Sequence, residues 1–90
     1  MSASHLVVVP AVSDRPSAGE KIKRLQAEAR NLAHGQVEAL AAALADVGRL
    51  AGEIAEGGEL YPVGARELSR RISEEAAKQS LTLSAIIDRV

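Results

Sequence analysis

A long stretch without proline constrains the fold of this chain most. No proline stands between Pro16 and Pro62. The side chains of Ser17 and Glu20 can accept hydrogen bonds from the amides that a helix start leaves unpaired, and Pro16 stops the helix from extending backwards. The sequence therefore predicts one long helix over about residues 18–56.

A second helix follows a short connection over residues 57 to 64. Gly57 or Gly58 suits the left-handed residue that ends a helix, and Pro62 suits the first turn of the next one. The second helix is predicted over about residues 62–89. A connection this short makes the two helices antiparallel neighbours. We therefore expect an all-α fold, an antiparallel helical hairpin.

Apolar residues recur along both helices at spacings of three and four, which is typical of a coiled-coil seam. In the first helix the row is Ile22, Leu25, Ala29, Ala33, Val37, Leu40, Leu44, Val47, Ala51 and Ile54. In the second helix the row is Ala65, Leu68, Ile72, Ala76, Gln79, Leu83, Ile86 and Val90. One extra spacing of four near Ala33 is a stutter that locally relaxes the supercoil.

A stripe of small residues runs beside the first row, formed by Ala41, Ala45, Gly48, Gly52 and Ala55. Small side chains let a neighbouring helix approach closely. A glycine inside a helix costs about 1 kcal/mol relative to alanine, so Gly48 and Gly52 are interpreted as tolerated for packing.

Helix lengths indicate that the hairpin needs a partner. At 1.5 Å per residue the first helix is about 58 Å long and the second about 42 Å, so the second cannot cover residues 22–29. Tyr61 is the only aromatic residue of the chain, and a domain this small seldom gains more than about 3–5 kcal/mol from one core. We expect a homodimer that forms a four-helix bundle. Its candidate helix-packing or dimer residues are Ile22, Leu25, Ala29, Val37, Leu40, Leu44, Ala45, Gly48, Gly52, Leu68, Ile72, Leu83 and Ile86.

Residues 1–16 are predicted to be a tail outside the hairpin domain of residues 17–90. Chain ends are commonly flexible. The valine-rich segment from Leu6 to Val9 leaves a second interpretation, a β-edge that pairs with another copy or a partner.

Composition disfavours several kinds of function. The formal net charge is −1 and the chain has no cysteine, which argues against a strong nucleic-acid binder and agrees with a reducing compartment. His5 and His34 are remote from each other, so no metal site is predicted. No polar constellation indicates catalysis or a cofactor. The longest apolar run is far too short to cross a membrane, and we expect a cytoplasmic protein that is not an enzyme.

Two features of the second helix and the connection are candidates for partner binding. Arg66, Arg70 and Arg71 cluster in the first turns of the second helix, where positive charge opposes the helix dipole. They are interpreted either as a charged face paired with Glu67 or as an anion-binding patch. Tyr61 at the tip either caps the bundle end or forms an exposed recognition knob.

Two blocks of the sequence carry a resemblance. Residues 21–30 (KIKRLQAEAR) and residues 57–68 (GGELYPVGAREL) resemble segments of small uncharacterised bacterial helical proteins. The resemblance implies a bacterial helical domain from about residue 20 onward and transfers no functional residue.

The sequence favours a small dimeric helical module for protein interaction or scaffolding, without catalytic activity. Its partners would be a second copy of itself and another protein. The alternative is a small nucleic-acid-associated regulator that uses the basic residues at the two helix starts, which are Lys21, Lys23, Arg24, Arg66, Arg70 and Arg71. Steep weakening of binding by salt would distinguish the second function from the first.

Overall fold

The computed structural model describes residues 17–89 and contains two long helices. Helix α1 spans Ala18–Ala55 and helix α2 spans Val63–Asp88, with a short 3₁₀ turn over Gly58–Leu60 between them. The helices pack against each other as a hairpin. The predicted all-α fold is confirmed, and each predicted helix boundary lies within one residue of the observed one. The predictions for the tail, for its valine-rich segment and for Val90 fall outside the described residues.

Helix α1 begins at the predicted serine. The backbone amide of Glu20 donates to Ser17 Oγ over 3.1 Å, and the amide of Lys21 donates to the Ser17 carbonyl over 3.0 Å. The hydroxyl therefore satisfies one of the amides that a helix start leaves without an intrahelical partner. Because this hydrogen bond is local, the start of α1 can be predicted from the sequence.

The connection between the helices depends on two glycines with different roles. Gly58 has a φ of +76°, the left-handed conformation that favours glycine at the end of a helix. Gly57 has an ordinary φ of −76°, but the ring of Tyr61 lies where a Cβ on Gly57 would be. The amide of Tyr61 donates to the Gly58 carbonyl over 3.1 Å. The tip is thus a closed turn that only this pair of glycines accommodates.

The described chain falls into two compact units, one ending at Leu32 and the other starting at Ala33. Every described residue of the first unit is exposed to solvent. The second unit contains the contact between the two helices, because it holds residues 33–55 of α1 and all of α2.

Small residues form the contact between α1 and α2. The buried residues among those described are Ala41, Gly48, Ala51, Ala55 and Ala76. No large side chain is fully buried between residues 17 and 89. Because alanine and glycine bury little apolar area, the hairpin alone has a thin core.

Three of the five buried residues, Ala41, Gly48 and Ala55, belong to the stripe of small residues, and the other two, Ala51 and Ala76, are small members of the predicted aliphatic rows. Leu68, Ile72 and Ile86 of the α2 row are exposed, as are Leu40 and Val47 of the α1 row. The physical reason is that helices meeting through glycine and alanine approach closely enough for short serine side chains to reach the opposite backbone. Longer side chains cannot enter such a contact and point away from it.

Candidate functional site: the serine seam and the aliphatic face

Two serine hydroxyls join α2 to the backbone of α1. Ser73 Oγ donates to the Gly48 carbonyl over 2.8 Å, and Ser80 Oγ donates to the Ala41 carbonyl over 2.7 Å. Donors and acceptors are both seven residues apart, and they run in opposite directions along the two helices. Each carbonyl oxygen has a second lone pair that can accept such a bond in addition to its helical one. We call this contact line the serine seam.

Gly48 lies close to the backbone of α2 at the serine seam. A Cβ built on Gly48 would lie 3.4 Å from the Ser73 carbonyl oxygen, 3.5 Å from the Ala77 amide nitrogen and 3.7 Å from Ala76 Cβ. The first two neighbours are backbone atoms, which cannot rotate aside. A Cβ on Gly52 would meet Ser73 Oγ at 3.2 Å. Both glycines therefore make room for α2.

Large aliphatic side chains from both helices lie beside the serine seam and form what we call the aliphatic face. Its members are Leu40, Leu44 and Val47 of α1 and Leu68, Ile72, Leu83 and Ile86 of α2. Leu44 and Leu83 are half-buried, and the other five are 40–53% exposed. The spacings of four and three in α1, and of four, eleven and three in α2, place these residues on one side of each helix.

A groove of about 450 Å³ brings the two halves of the aliphatic face together. Leu40, Leu44, Gln79, Thr82 and Leu83 line it. The opposite side of the hairpin has a different character. Its cavity of about 300 Å³ is lined by Glu38, Ala41, Ala42, Ser80, Ser84, Ile87 and Asp88. The groove on one side of the serine seam is therefore lined mainly by aliphatic side chains, whereas the cavity on the other side is lined by both polar and apolar ones.

The remaining candidate packing residues differ in their exposure to solvent. Ile22, Leu25 and Ala29 are exposed in the first unit. Ala45 is exposed, although it belongs to the stripe of small residues, while Val37 and Gly52 are half-buried. Their part in a dimer interface stays a prediction.

The tip of the hairpin is partly packed and partly exposed. The Tyr61 ring lies against Gly57 and is still 40% exposed. Its neighbours Leu60 and Val63 are 92% and 60% exposed. The ring therefore contributes to closing the turn, and the side chains around it remain available to a partner.

Two of the three clustered arginines bind backbone carbonyls at the tip. Arg70 Nη2 donates to the Ala55 carbonyl over 3.3 Å, at the end of α1, and Arg66 Nε donates to the Tyr61 carbonyl over 3.1 Å. A cation at the carboxyl end of a helix is favoured by the helix dipole. Arg70, whose charge opposes the dipole of α2, thus compensates the dipole of α1. Arg71 makes no such bond within residues 17–89 and lines a shallow groove with Ile72.

We predict that Arg70→Gln lowers the free energy of unfolding by about 0.5–1.5 kcal/mol, because it removes the hydrogen bond to the Ala55 carbonyl and the charge at the end of α1. Arg71→Gln is the matched control, since it removes the neighbouring charge without that bond, and it should change stability by less than about 0.5 kcal/mol. Urea unfolding followed by circular dichroism measures both. Equal losses in the two variants would show that the Arg70 bond contributes nothing.

Two contacts between basic and acidic side chains are present between residues 17 and 89, and the one of His34 is an ion pair only when the histidine is protonated. His34 Nδ1 lies 3.0 Å from Glu38 Oε1, and Arg49 Nη2 lies 2.9 Å from Asp46 Oδ1. The hydrogen bond to Asp46 raises the pKa of Arg49. All four side chains are substantially exposed, so these pairs contribute little to stability. The expected pairing of Glu67 with Arg70 or Arg71 is not among them.

Sequence reasoning missed Ser73 and Ser80 as contact residues. Their signal was visible, because Ser69, Ser73, Ala76 and Ser80 form a row of small residues at spacings of four, three and four. That row matches the stripe of small residues in α1. Serines on a helix often face solvent, so the row alone does not predict a contact between helices.

The part of the chain that the structure describes gathers no three metal-binding side chains at one place. Neither α1 nor α2 combines the length and apolarity of a membrane-crossing segment. Comparison of the chain with protein-family models, curated proteins and solved structures finds no match. The resemblance to small bacterial helical proteins therefore stays a prediction.

Proposed function

We propose that this protein is a self-associating helical module for protein interaction, in which two hairpins join through their aliphatic faces into a four-helix bundle. One observation supports this proposal above the others. The helices meet through alanine, glycine and serine, while the aliphatic face holds large apolar side chains of both helices at the surface beside the serine seam. An exposed apolar surface of this kind marks a protein interaction site.

The size of the aliphatic face is consistent with a reversible dimer. Burying a whole aliphatic side chain contributes about 1.5–3 kcal/mol, so each half-exposed member of the face has roughly 1 kcal/mol left to contribute. Five such side chains from each copy would offer about 10 kcal/mol. Association costs about 4–15 kcal/mol in lost translational and rotational freedom. At the lower end of that cost about 6 kcal/mol remains, which corresponds to a dissociation constant on the order of tens of micromolar.

A second copy suits this face because the charges around it are mixed. Arg71, Glu74, Glu75 and Lys78 lie beside Ile72 along α2. Both signs are interspersed, and the chain as a whole has a net charge of −1. Two identical faces therefore meet without a strong single-sign repulsion, and a two-fold arrangement can pair opposite charges at the rim.

The nucleic-acid alternative has less support from the structure. Arg66 and Arg70 already donate to backbone carbonyls, so a phosphate would have to compete with those bonds. Arg71 remains as the member of the cluster without such a bond in the described chain. We therefore place the interaction surface on the aliphatic face.

Sedimentation equilibrium of the full chain between about 1 and 200 μM tests the proposal. We expect the mass to rise from one chain of 9.4 kDa toward twice that value. Raising the salt concentration should leave this association unchanged or strengthen it, because it buries apolar surface. A compact monomer that melts cooperatively across the whole concentration range would contradict the proposal.

A further inference from the structure

Gln79 interrupts the aliphatic face with a polar side chain. It continues the row of Leu68, Ile72 and Ala76 at the next spacing of three, and Leu83 follows at a spacing of four. In the groove it lies with Leu40 and Leu44 of the opposite helix. Gln79 is thus an exposed polar residue that lines a largely aliphatic groove, at a position where the periodicity predicts an apolar residue.

The amide of Gln79 is free to bind a partner group. The other polar residue of the groove, Thr82, donates its hydroxyl to the Lys78 carbonyl over 2.9 Å. Gln79 makes no side-chain hydrogen bond to any residue between 17 and 89. A primary amide can donate two hydrogen bonds and accept two. If the aliphatic face is covered, these groups need partners.

The serine seam places Gln79 near the middle of the paired part of the hairpin. Ser80 lies opposite Ala41 and Ser73 lies opposite Gly48. In this antiparallel pairing Gln79 lies across from the interval between Leu40 and Leu44. That interval is close to the centre of residues 33–55, the part of α1 in the hairpin unit. A two-fold axis that lies in the interface and crosses the helices at right angles near this height would stack the two copies of α2 and bring Gln79 close to Gln79 of the second copy.

We propose that Gln79 sets the register in which two copies of this chain associate, through a reciprocal pair of amide hydrogen bonds across the two-fold axis. This inference rests on the proposed self-association. In the symmetric register each amide donates to the other and accepts from it. In a shifted register the amide faces aliphatic side chains and loses its hydrogen bonds to water without replacement. A single polar residue in an apolar seam is known to specify register in this way, at a cost in stability.

Single-cysteine cross-linking tests the position of Gln79 directly, because the chain has no cysteine of its own. Under mild oxidation Gln79→Cys should convert most of the protein to a covalent dimer, since a disulfide requires Cα atoms within about 4.4–6.8 Å. Leu81→Cys is the matched control. Leu81 is 73% exposed, and two residues along a helix turn it about 200° away from Gln79. It should cross-link less than a tenth as fast.

The role of the amide is tested by two further variants in sedimentation. Gln79→Leu should associate at least tenfold more tightly but into a mixture of masses, because no register is preferred. Gln79→Glu should associate at least tenfold more weakly at pH 7.5, and it should regain affinity near pH 5, where like-charge repulsion has raised the pKa of the new carboxyl toward the solution pH. Leu81→Glu should match the original chain at both pH values.

The outcomes separate this inference from the proposed function. If the original chain is monomeric, both the proposed function and the role of Gln79 are wrong. A dimeric original chain whose Gln79→Cys variant cross-links no faster than Leu81→Cys overturns the role of Gln79 alone. So does a Gln79→Leu variant that forms one dimer with unchanged affinity.

Discussion

Replacing Gly48 with leucine is expected to separate the two helices and to lower the free energy of unfolding by at least about 3 kcal/mol. A Cβ at this position already reaches the limit of contact with the backbone of Ser73 and Ala77. Three further carbon atoms have no space, and overpacking a close contact typically costs about 1–3 kcal/mol, or more where backbone must move. The variant also loses the hydrogen bond from Ser73 when the helices part. The gain of about 1 kcal/mol in helix propensity does not compensate.

Gly35→Leu is the matched control for this prediction. A Cβ on Gly35 has no neighbour within 4 Å, and the residue lies in the same helix. The same substitution should therefore stabilise the protein by about 0.5–1 kcal/mol. Gly52→Leu should behave like Gly48→Leu in a milder form, because its nearest neighbour is the movable Ser73 hydroxyl. Urea unfolding at one fixed protein concentration compares the three. If Gly48→Leu were as stable as Gly35→Leu, the close contact at Gly48 would be disproved.

Leu40→Glu is expected to weaken self-association at least hundredfold, which corresponds to about 2.8 kcal/mol. Leu40 is 53% exposed, so the hairpin itself can fold with a carboxylate there. In the dimer each copy would bring one charge into an apolar interface without a partner, and such a charge is costly to desolvate. Sedimentation equilibrium measures the dissociation constant, and circular dichroism checks that the helix content is retained.

Leu81→Glu controls for the loss of a leucine and the gain of a charge. Leu81 is more exposed than Leu40 and lies outside the aliphatic face. Its variant should associate like the original chain. Equal weakening in both variants would mean that the net charge, and not the aliphatic face, governs association. No weakening in either would place the interface elsewhere on the molecule.

The helix boundaries could be predicted because their causes are local. Ser17 accepts a hydrogen bond from an amide three residues away, and Gly58 adopts the positive φ that ends the helical run. Both effects act within one turn of the chain, and both residue types are distinctive. Neither depends on what the rest of the molecule does.

The choice between neighbouring rows could not be predicted, because it depends on tertiary contact. In α1 the aliphatic row through Leu40 and the small stripe through Gly48 both follow spacings of three and four. Periodicity shows that both rows face something, but not whether the neighbour is α2 or a second chain. The hydrogen bond from Arg70 to the Ala55 carbonyl joins residues fifteen positions apart. It exists only because the tip brings α2 back to the end of α1.

The two hydrogen bonds of the serine seam are seven residues apart, so the same seam could form in more than one axial alignment of the two helices. If α2 slid by seven residues toward the closed end, Ser80 would face Gly48 and Ser73 would face Ala55, and both hydroxyls would again meet carbonyls beside small residues. The seam therefore fixes the angular orientation of the helices but not their axial position. The axial position is selected by the short connection, where Tyr61 covers Gly57 and Arg70 reaches Ala55. A turn without a single buried residue in its 3₁₀ segment thus decides between pairings that the helices themselves cannot distinguish.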